Sequence, residues 1–254
     1  MVYNKEFGEP NNGHVILVHG LAEHFRRHHR LINQLKDDGF KVHAFDWPGH
    51  GKSPGKRGHA KIEDTLDIID EMVDDVEEKP YLFGHSLGGL TVLRYAEINS
   101  KKVKGVVVSS PALESGEDIP AIAQKMISFL SYLFPKKTLS ESIEIDKVTR
   151  SEKALKKYEE DDLVHTELSF RLARDLFQNM KKVHKEKQRL NVPSLILVGT
   201  EDEITPMEGS EKFVKDLEDV KLKKFEGAFH EIFNDPEHKE EFHQIILNWM
   251  NDQS

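Results

Sequence analysis

The chain has 254 residues, enough to bury one large core. Charged residues make up 32% of it and the net charge is -9 with both signs interspersed, which speaks against a nucleic-acid binder. There is no cysteine, so disulfides, thiolate metal sites and cysteine nucleophiles are excluded. The first residues carry no apolar run of signal-peptide length, and no stretch approaches the roughly 20 apolar residues of a membrane span. The expected location is therefore the cytoplasm.

In chain order, residues 15–18 form an apolar run that predicts a buried strand, followed by a helix over 24–38 that Gly39 ends. A second strand is expected over 40–45. Ile62, Leu66, Ile69 and Val73 recur at helical spacing, which predicts a helix over 62–78. Residues 81–83 predict the next strand. It runs into Gly84-His85-Ser86-Leu87-Gly88-Gly89, and a helix is expected over 87–98. A G-x-S-x-G sequence between strand and helix is a nucleophile elbow: a sharp turn presents the serine, and small residues beside it make room. Another strand is expected over 106–109.

The rhythm then breaks. From about 111 to 190 the sequence predicts helices and no clear strand. Its first helical stretch, 119–134, is apolar on more than one side, and its second, 152–187, is charged and amphipathic. The alternation resumes with a strand over 194–198, a helix over 207–217, a strand over 221–225 and a last helix over 236–250. Strands alternating with helices predict a mostly parallel central sheet with helices on both faces. The insertion is expected to cap the C-terminal edge of that sheet, where α/β sites lie. The organisation expected is one domain over 1–254 with a cap at about 111–190.

A serine hydroxyl needs a base, a carboxylate to orient the base, and donors for the oxyanion. In this kind of fold they follow in the order Ser, acid, His. The loop after the 194–198 strand offers Glu201, Asp202 and Glu203. Asp202 is preferred, because a short side chain can be fixed by neighbouring amides. The alternative is that all three acids only cap the next helix. His230, in the loop after the 221–225 strand, is the one histidine of 14 with the right order and the right kind of loop. The oxyanion donors expected are the N–H groups of Leu87, just after the serine, and of Leu21, in the loop after the first predicted strand. His24 and His28 stand at i, i+4, but no H-E-x-x-H pattern accompanies them and Arg26 and Arg27 between them would repel a cation. No metal and no cofactor are expected.

These segments resemble the monoacylglycerol lipases and lysophospholipase-like members of the α/β-hydrolase superfamily. The matching runs are His19-Gly20-Leu21-Ala22-Glu23-His24, residues 46–53, Gly84 to Gly89, residues 158–164, Gly199 to Asp202 and Gly227 to His230. The resemblance implies an α/β-hydrolase fold with the cap inserted after the sixth strand. It puts the triad on Ser86, Asp202 and His230, and the oxyanion donors on Leu21 and Leu87. It also implies that Glu23, Arg27 and Tyr158 hold a glycerol head. Each has a plainer alternative: Glu23 bonding loop amides, Arg27 pairing with an acid, Tyr158 packing the cap. Three departures stand out. The N-terminal segment is short, which implies a missing strand of the leading hairpin. Asp162 stands where the family often has proline, and Phe233 stands near where relatives carry a polar group.

The function this implies is hydrolysis of a carboxylic ester, a monoacylglycerol first, through an acyl-enzyme on Ser86. The acyl chain is expected under the apolar cap helix, around Met126, Phe129 and Leu130. The alternatives are a lysophospholipase, a thioesterase or a general carboxylesterase of the same fold, and last a non-catalytic binding module. The partners expected are a single-chain lipid ester and, through the cap, a membrane or lipid aggregate, with the protein a monomer or homodimer.

Overall fold

The structure, a computed structural model, describes residues 1–117, 119–140 and 145–253. Residues 118, 141–144 and 254, parts of the expected insertion and domain, lie outside the described residues. The main sheet has seven strands: β1 (Asn4–Phe7), β2 (His14–Val18), β3 (Lys41–Phe45), β4 (Tyr81–His85), β5 (Gly105–Ser109), β8 (Ser194–Gly199) and β9 (Val220–Phe225). Two further strands, β6 (Thr138–Ser140) and β7 (Glu167–Ser169), form a separate antiparallel pair. The order across the main sheet is β1-β3-β2-β4-β5-β8-β9, and every pairing is parallel except that of β1 with β3. This is the mostly parallel sheet that the alternation predicts.

The strands are apolar because both of their faces are covered. Side chains alternate between two cores: Ile16, Val18, Leu82, Val106, Val108, Ile196 and Val198 enter one, while Val15, Leu17, Tyr81, Phe83, Val107, Leu195 and Leu197 enter the other. Helices α2 (Ile62–Asp74) and α3 (Leu87–Asn99) supply the first core with Ile69, Leu90 and Leu93. Helices α1 (His29–Asp37) and α8 (Lys239–Asp252) supply the second with Leu31, Leu35, Phe242 and Ile246. The edge strand β9 presents Lys221 and Lys224 to solvent, a charged fringe that discourages pairing with another chain.

Between β5 and β8 the chain leaves the sheet for α4 (Ala121–Leu133), the β6–β7 pair, α5 (Glu152–Glu159) and α6 (Phe170–Glu186). Three expectations change here. The insertion follows the fifth strand rather than the sixth, because only one antiparallel strand, β1, precedes the parallel set. The insertion does contain strands, but each has three residues, too short for an alternating pattern to register. The continuous helical reading over 152–187 divides into α5 and α6, with Ser151 and Ser169 each capping a helix by accepting the N–H three residues on.

Candidate active site

Ser86 sits at the turn between β4 and α3, with φ 53° and ψ -118°. That left-handed backbone is costly for a residue with a side chain and is sustained only by the surrounding structure. The support is visible: Ser86 N–H donates to the Ser109 carbonyl at 3.0 Å, and the Ser86 carbonyl accepts Leu90 N–H and Ala112 N–H at 3.0 Å each. The glycines are dictated by close approach. A Cβ on Gly84 would lie 2.5 Å from the Gly88 carbonyl oxygen, and one on Gly88 would lie 2.2 Å from that of Val18. Strand, turn and helix therefore meet backbone to backbone, with Ser86 at the apex.

The loops after β8 and β9 bring Asp202 and His230 together. Asp202 Oδ2 lies 2.8 Å from His230 Nδ1, and both residues are buried. Asp202 Oδ1 accepts the N–H groups of Ile204 and Thr205 at 2.9 Å each, which fixes the carboxylate. This is the pinning by neighbouring amides expected of a short aspartate. Burial alone would raise its pKa, but His230 and the Thr205 donors outweigh it and hold the carboxyl below its ordinary range. Burial alone would likewise lower that of His230, but the Asp202 charge and hydrogen bond outweigh it, so the imidazole pKa is raised.

Two hydroxyls that the sequence reading passed over complete this arrangement. Thr205 Oγ1 lies 2.8 Å from Asp202 Oδ2, 3.1 Å from the Ser110 carbonyl and 3.1 Å from His230 Nδ1. Ser110, with φ 44°, donates its hydroxyl to the His230 carbonyl at 2.8 Å. Ser110 follows directly on Ser109, which accepts the Ser86 amide, so the ends of β4, β5 and β9 are tied together. His85, the residue before Ser86, lays its ring 4.8 Å from that of His230. Burial keeps the His85 pKa well below the ordinary imidazole value, so the ring beside His230 is neutral.

On the opposite side stands the loop after β2. A Cβ on Gly20 would lie 3.1 Å from Ser86 Cβ, so the loop that carries Leu21 comes close to the serine. Leu87 is the first residue of α3, where an amide has no acceptor within the helix. The Gly20 amide itself is occupied, donating to Glu23 Oε1 at 2.6 Å.

Glu23 and Arg27 form a buried network. Arg27 Nε donates to Glu23 Oε2 at 3.2 Å, and its Nη2 donates to Glu231 Oε1. Its guanidinium stacks over the Tyr158 ring at 4.5 Å from the centroid. Burial would raise the Glu23 pKa, but its interaction with His28 and the Arg27 charge hold it well below the carboxylate range. Glu23 thus bonds a loop amide, Arg27 pairs with two acids, and Tyr158 packs against the Arg27 guanidinium. Glu231, next to His230, is the acid that the sequence reading did not assign. The inserted segment joins the same loop again through His24 Nε2 and Asp161 Oδ2 at 2.8 Å, and through His165 N–H donating to the Ala22 carbonyl at 3.1 Å.

The residues expected around an acyl chain separate. Met126 and Phe129 lie on the outer side of α4, 60% and 63% exposed, while Leu130 is half-buried. The first two therefore face solvent rather than a buried tunnel. A helix apolar on more than one side carries no phase in its sequence, and the inward positions prove to include Ile127 and Ser131. Phe233 fills the space behind the site, its ring 5.0 Å from that of His85 and 4.6 Å from that of His28. Among the described residues no group of three or more His, Asp or Glu is arranged to hold a metal ion.

Residues 9–237 match the family described as serine aminopeptidase S33. An abhydrolase domain-containing protein of Dictyostelium discoideum is 32% identical over 246 residues, 93% of this chain and 26% of that protein, so the chain spans about a quarter of that relative. The monoacylglycerol lipase of Mycolicibacterium smegmatis is 31% identical over 236 residues, covering 89% of this chain and 84% of that one. The crystal structure of Paleococcus ferrophilus monoacylglycerol lipase superposes with a TM-score of 0.97 at 47% identity over 100% of both chains. The chain belongs to this serine aminopeptidase S33 family of α/β-hydrolases, in the branch that includes the monoacylglycerol lipases.

Proposed function

We propose that the protein hydrolyses carboxylic esters of single-chain lipids, monoacylglycerols first among them, through an acyl-enzyme on Ser86. The observation that carries this is the His230–Asp202 pair at 2.8 Å, carried by loops at the same sheet edge as a serine held at φ 53° on a strand-to-helix turn. In this mechanism His230 takes the Ser86 proton as the hydroxyl oxygen attacks the ester carbonyl. Asp202 fixes the tautomer of His230 and stabilises its cation. The N–H groups of Leu21 and Leu87 donate to the oxyanion of the tetrahedral intermediate, and the N-terminal end of α3 favours the same charge. The intermediate collapses, the C–O bond of the ester breaks, and His230 gives its proton to the leaving alcohol. Water then attacks the acyl-enzyme as His230 takes its proton, the Ser86 Oγ–acyl bond breaks, and His230 returns the proton to Ser86 as the fatty acid leaves. Every step uses only the chain and water.

The head group is assigned to the polar wall made by Glu23, Arg27 and Tyr158, whose charges are already matched before substrate arrives. The inserted segment acts as the cap. Its helix α4 exposes Ile122, Met126, Phe129 and Tyr132, with Leu133 and Phe134 at its end. That apolar stripe is suited to contact with a lipid surface, from which the ester would enter. No helix among the described residues is long and apolar enough to cross a membrane.

The test is a panel of monoacylglycerols, lysophospholipids, acyl-CoA and p-nitrophenyl esters, with Ser86→Ala as the blank. Monoacylglycerol is expected to give the highest kcat/KM, and Ser86→Ala to lose at least about 10³-fold in kcat. Equal hydrolysis by both proteins would remove Ser86 from the reaction.

A further inference from the structure

We propose that a pocket between α1, α5 and α8 binds a phosphate-class oxyanion. It takes no part in the steps described above, although Arg27 and Phe233 belong to its lining. Its volume is about 170 Å³, room for several waters or for one tetrahedral anion with part of its substituent. The sign of its wall is the first argument. Lys153, Lys157 and Lys239 line it together with Arg27, Arg30 and three histidines, and no Asp or Glu does. In a chain of net charge -9, such a concentration of one sign is a local reversal of the overall field.

Two of these cations are already satisfied. Arg27 pairs with Glu23 and Glu231, and Arg30 pairs with Glu240. Lys153, Lys157 and Lys239, the first two exposed, line the wall and form no salt bridge among the described residues, although Glu240 feels the charge of Lys239. The second argument is independent of charge. His243 and His28 line the pocket at 1% and 2% exposure. His28 spends Nε2 on Glu23 at 3.2 Å and leaves Nδ1 without a partner. Neither ring nitrogen of His243 has a well-formed hydrogen bond, although the Lys239 carbonyl one turn back is within electrostatic reach. Buried ring nitrogens without a well-formed partner are costly, and a small rotation of either ring would bring a donor to an anion held by the lysines. Burial and the nearby Arg30 push the His243 pKa down to about 4, an unfavourable field for a cation that an anion would offset. A tetrahedral oxyanion with several acceptor oxygens suits donors arriving from three helices better than chloride does. Its source is either free phosphate or the phosphoglycerol head of a lipid.

Calorimetric titration of inorganic phosphate into the wild-type chain, with no ester present, reads this site without reference to Ser86. Lys153→Glu and Lys239→Glu together are the informative variant, because both positions lie in the first turn of a helix, where an acid suits the dipole and folding is preserved. Phosphate is expected to bind saturably, more weakly as salt rises, and about tenfold or more weakly in the double variant. Lys125→Glu, on α4 and away from the pocket, should bind as wild type does. A second titration with sn-glycerol 3-phosphate separates the sources. Tighter binding than phosphate assigns a lipid head group and equal binding assigns free phosphate, and either result upholds the site. Absence of saturable binding by both anions, or an unchanged affinity in the double variant, would overturn it.

Discussion

At the residue scale, the charge of Asp202 controls when His230 can act. As a base His230 must be neutral, and its pKa is held above the ordinary imidazole value of 6.5. In the proposed mechanism activity therefore falls as pH drops through that raised value, and the acid limb of kcat/KM lies above pH 6.5. Asp202→Asn removes the charge that outweighs burial. Burial then dominates, the His230 pKa drops, and the acid limb moves to lower pH. The rate at the plateau falls as well, by about 10³- to 10⁴-fold, because the amide no longer selects the tautomer or stabilises the imidazolium. Both changes are read from one pH–rate profile on a p-nitrophenyl ester. A lower plateau with an unmoved limb would mean that another group sets the His230 pKa. The pair was legible in the sequence because strand, loop and order are local signals. Thr205, Ser110 and Glu231 were not. Thr205 meets the Ser110 carbonyl across 95 positions, and Arg27 meets Glu231 across 204. Only the side-by-side packing of β5, β8 and β9 and the return of the chain to the β2 loop create those neighbours.

Among the elements, the turn at Ser86 works because three backbones approach closely, and two glycines test different parts of that approach. On Gly88 a Cβ would stand 2.2 Å from the Val18 carbonyl oxygen and 2.5 Å from that of His19. Backbone atoms of a central strand cannot yield, so Gly88→Ala should destabilise the fold by about 3 kcal/mol or more. On Gly20 a Cβ would stand 3.0 Å from Glu23 Oε1, 3.1 Å from Ser86 Cβ and 3.3 Å from the His85 carbonyl oxygen. Small shifts of side chains relieve those contacts, but they displace the loop that carries Leu21 and the serine itself. Gly20→Ala should keep most of its stability, within about 1 kcal/mol, and lose kcat by about 10²-fold. Chemical denaturation and steady-state kinetics on the two variants separate the effects. The prediction fails where Gly20→Ala unfolds as readily as Gly88→Ala. The glycines were readable as a motif, but which of them guards the fold and which the site depends on the distances across β2 and β4. The short strands β6 and β7 were hidden for another reason: three residues carry less periodic signal than the noise of composition.

Across the whole molecule, charge and apolar surface are segregated. The net charge of -9 disfavours a broad anionic surface outside the basic pocket, while α4 presents Ile122, Met126, Phe129 and Tyr132 at 60% exposure or more. An acidic protein whose exposed large apolar side chains stand mostly on and just after one helix should partition onto uncharged lipid through that helix. Full withdrawal of a Phe or Met side chain from water is worth about 1.5–3 kcal/mol. Replacing Met126 and Phe129 with aspartate removes two such contributions from the stripe and adds charge where lipid would sit. Binding to phosphatidylcholine vesicles should weaken by about tenfold or more, since 1.4 kcal/mol is a tenfold change. The melting temperature should hold, because neither side chain is packed in a core. Hydrolysis of emulsified monoacylglycerol should fall with vesicle binding, and hydrolysis of a short water-soluble ester should fall far less. Cosedimentation with vesicles measures the first quantity and parallel assays the second. Equal loss on both substrates would place α4 in the path of the substrate itself, and undiminished vesicle binding would place the lipid contact elsewhere on the chain.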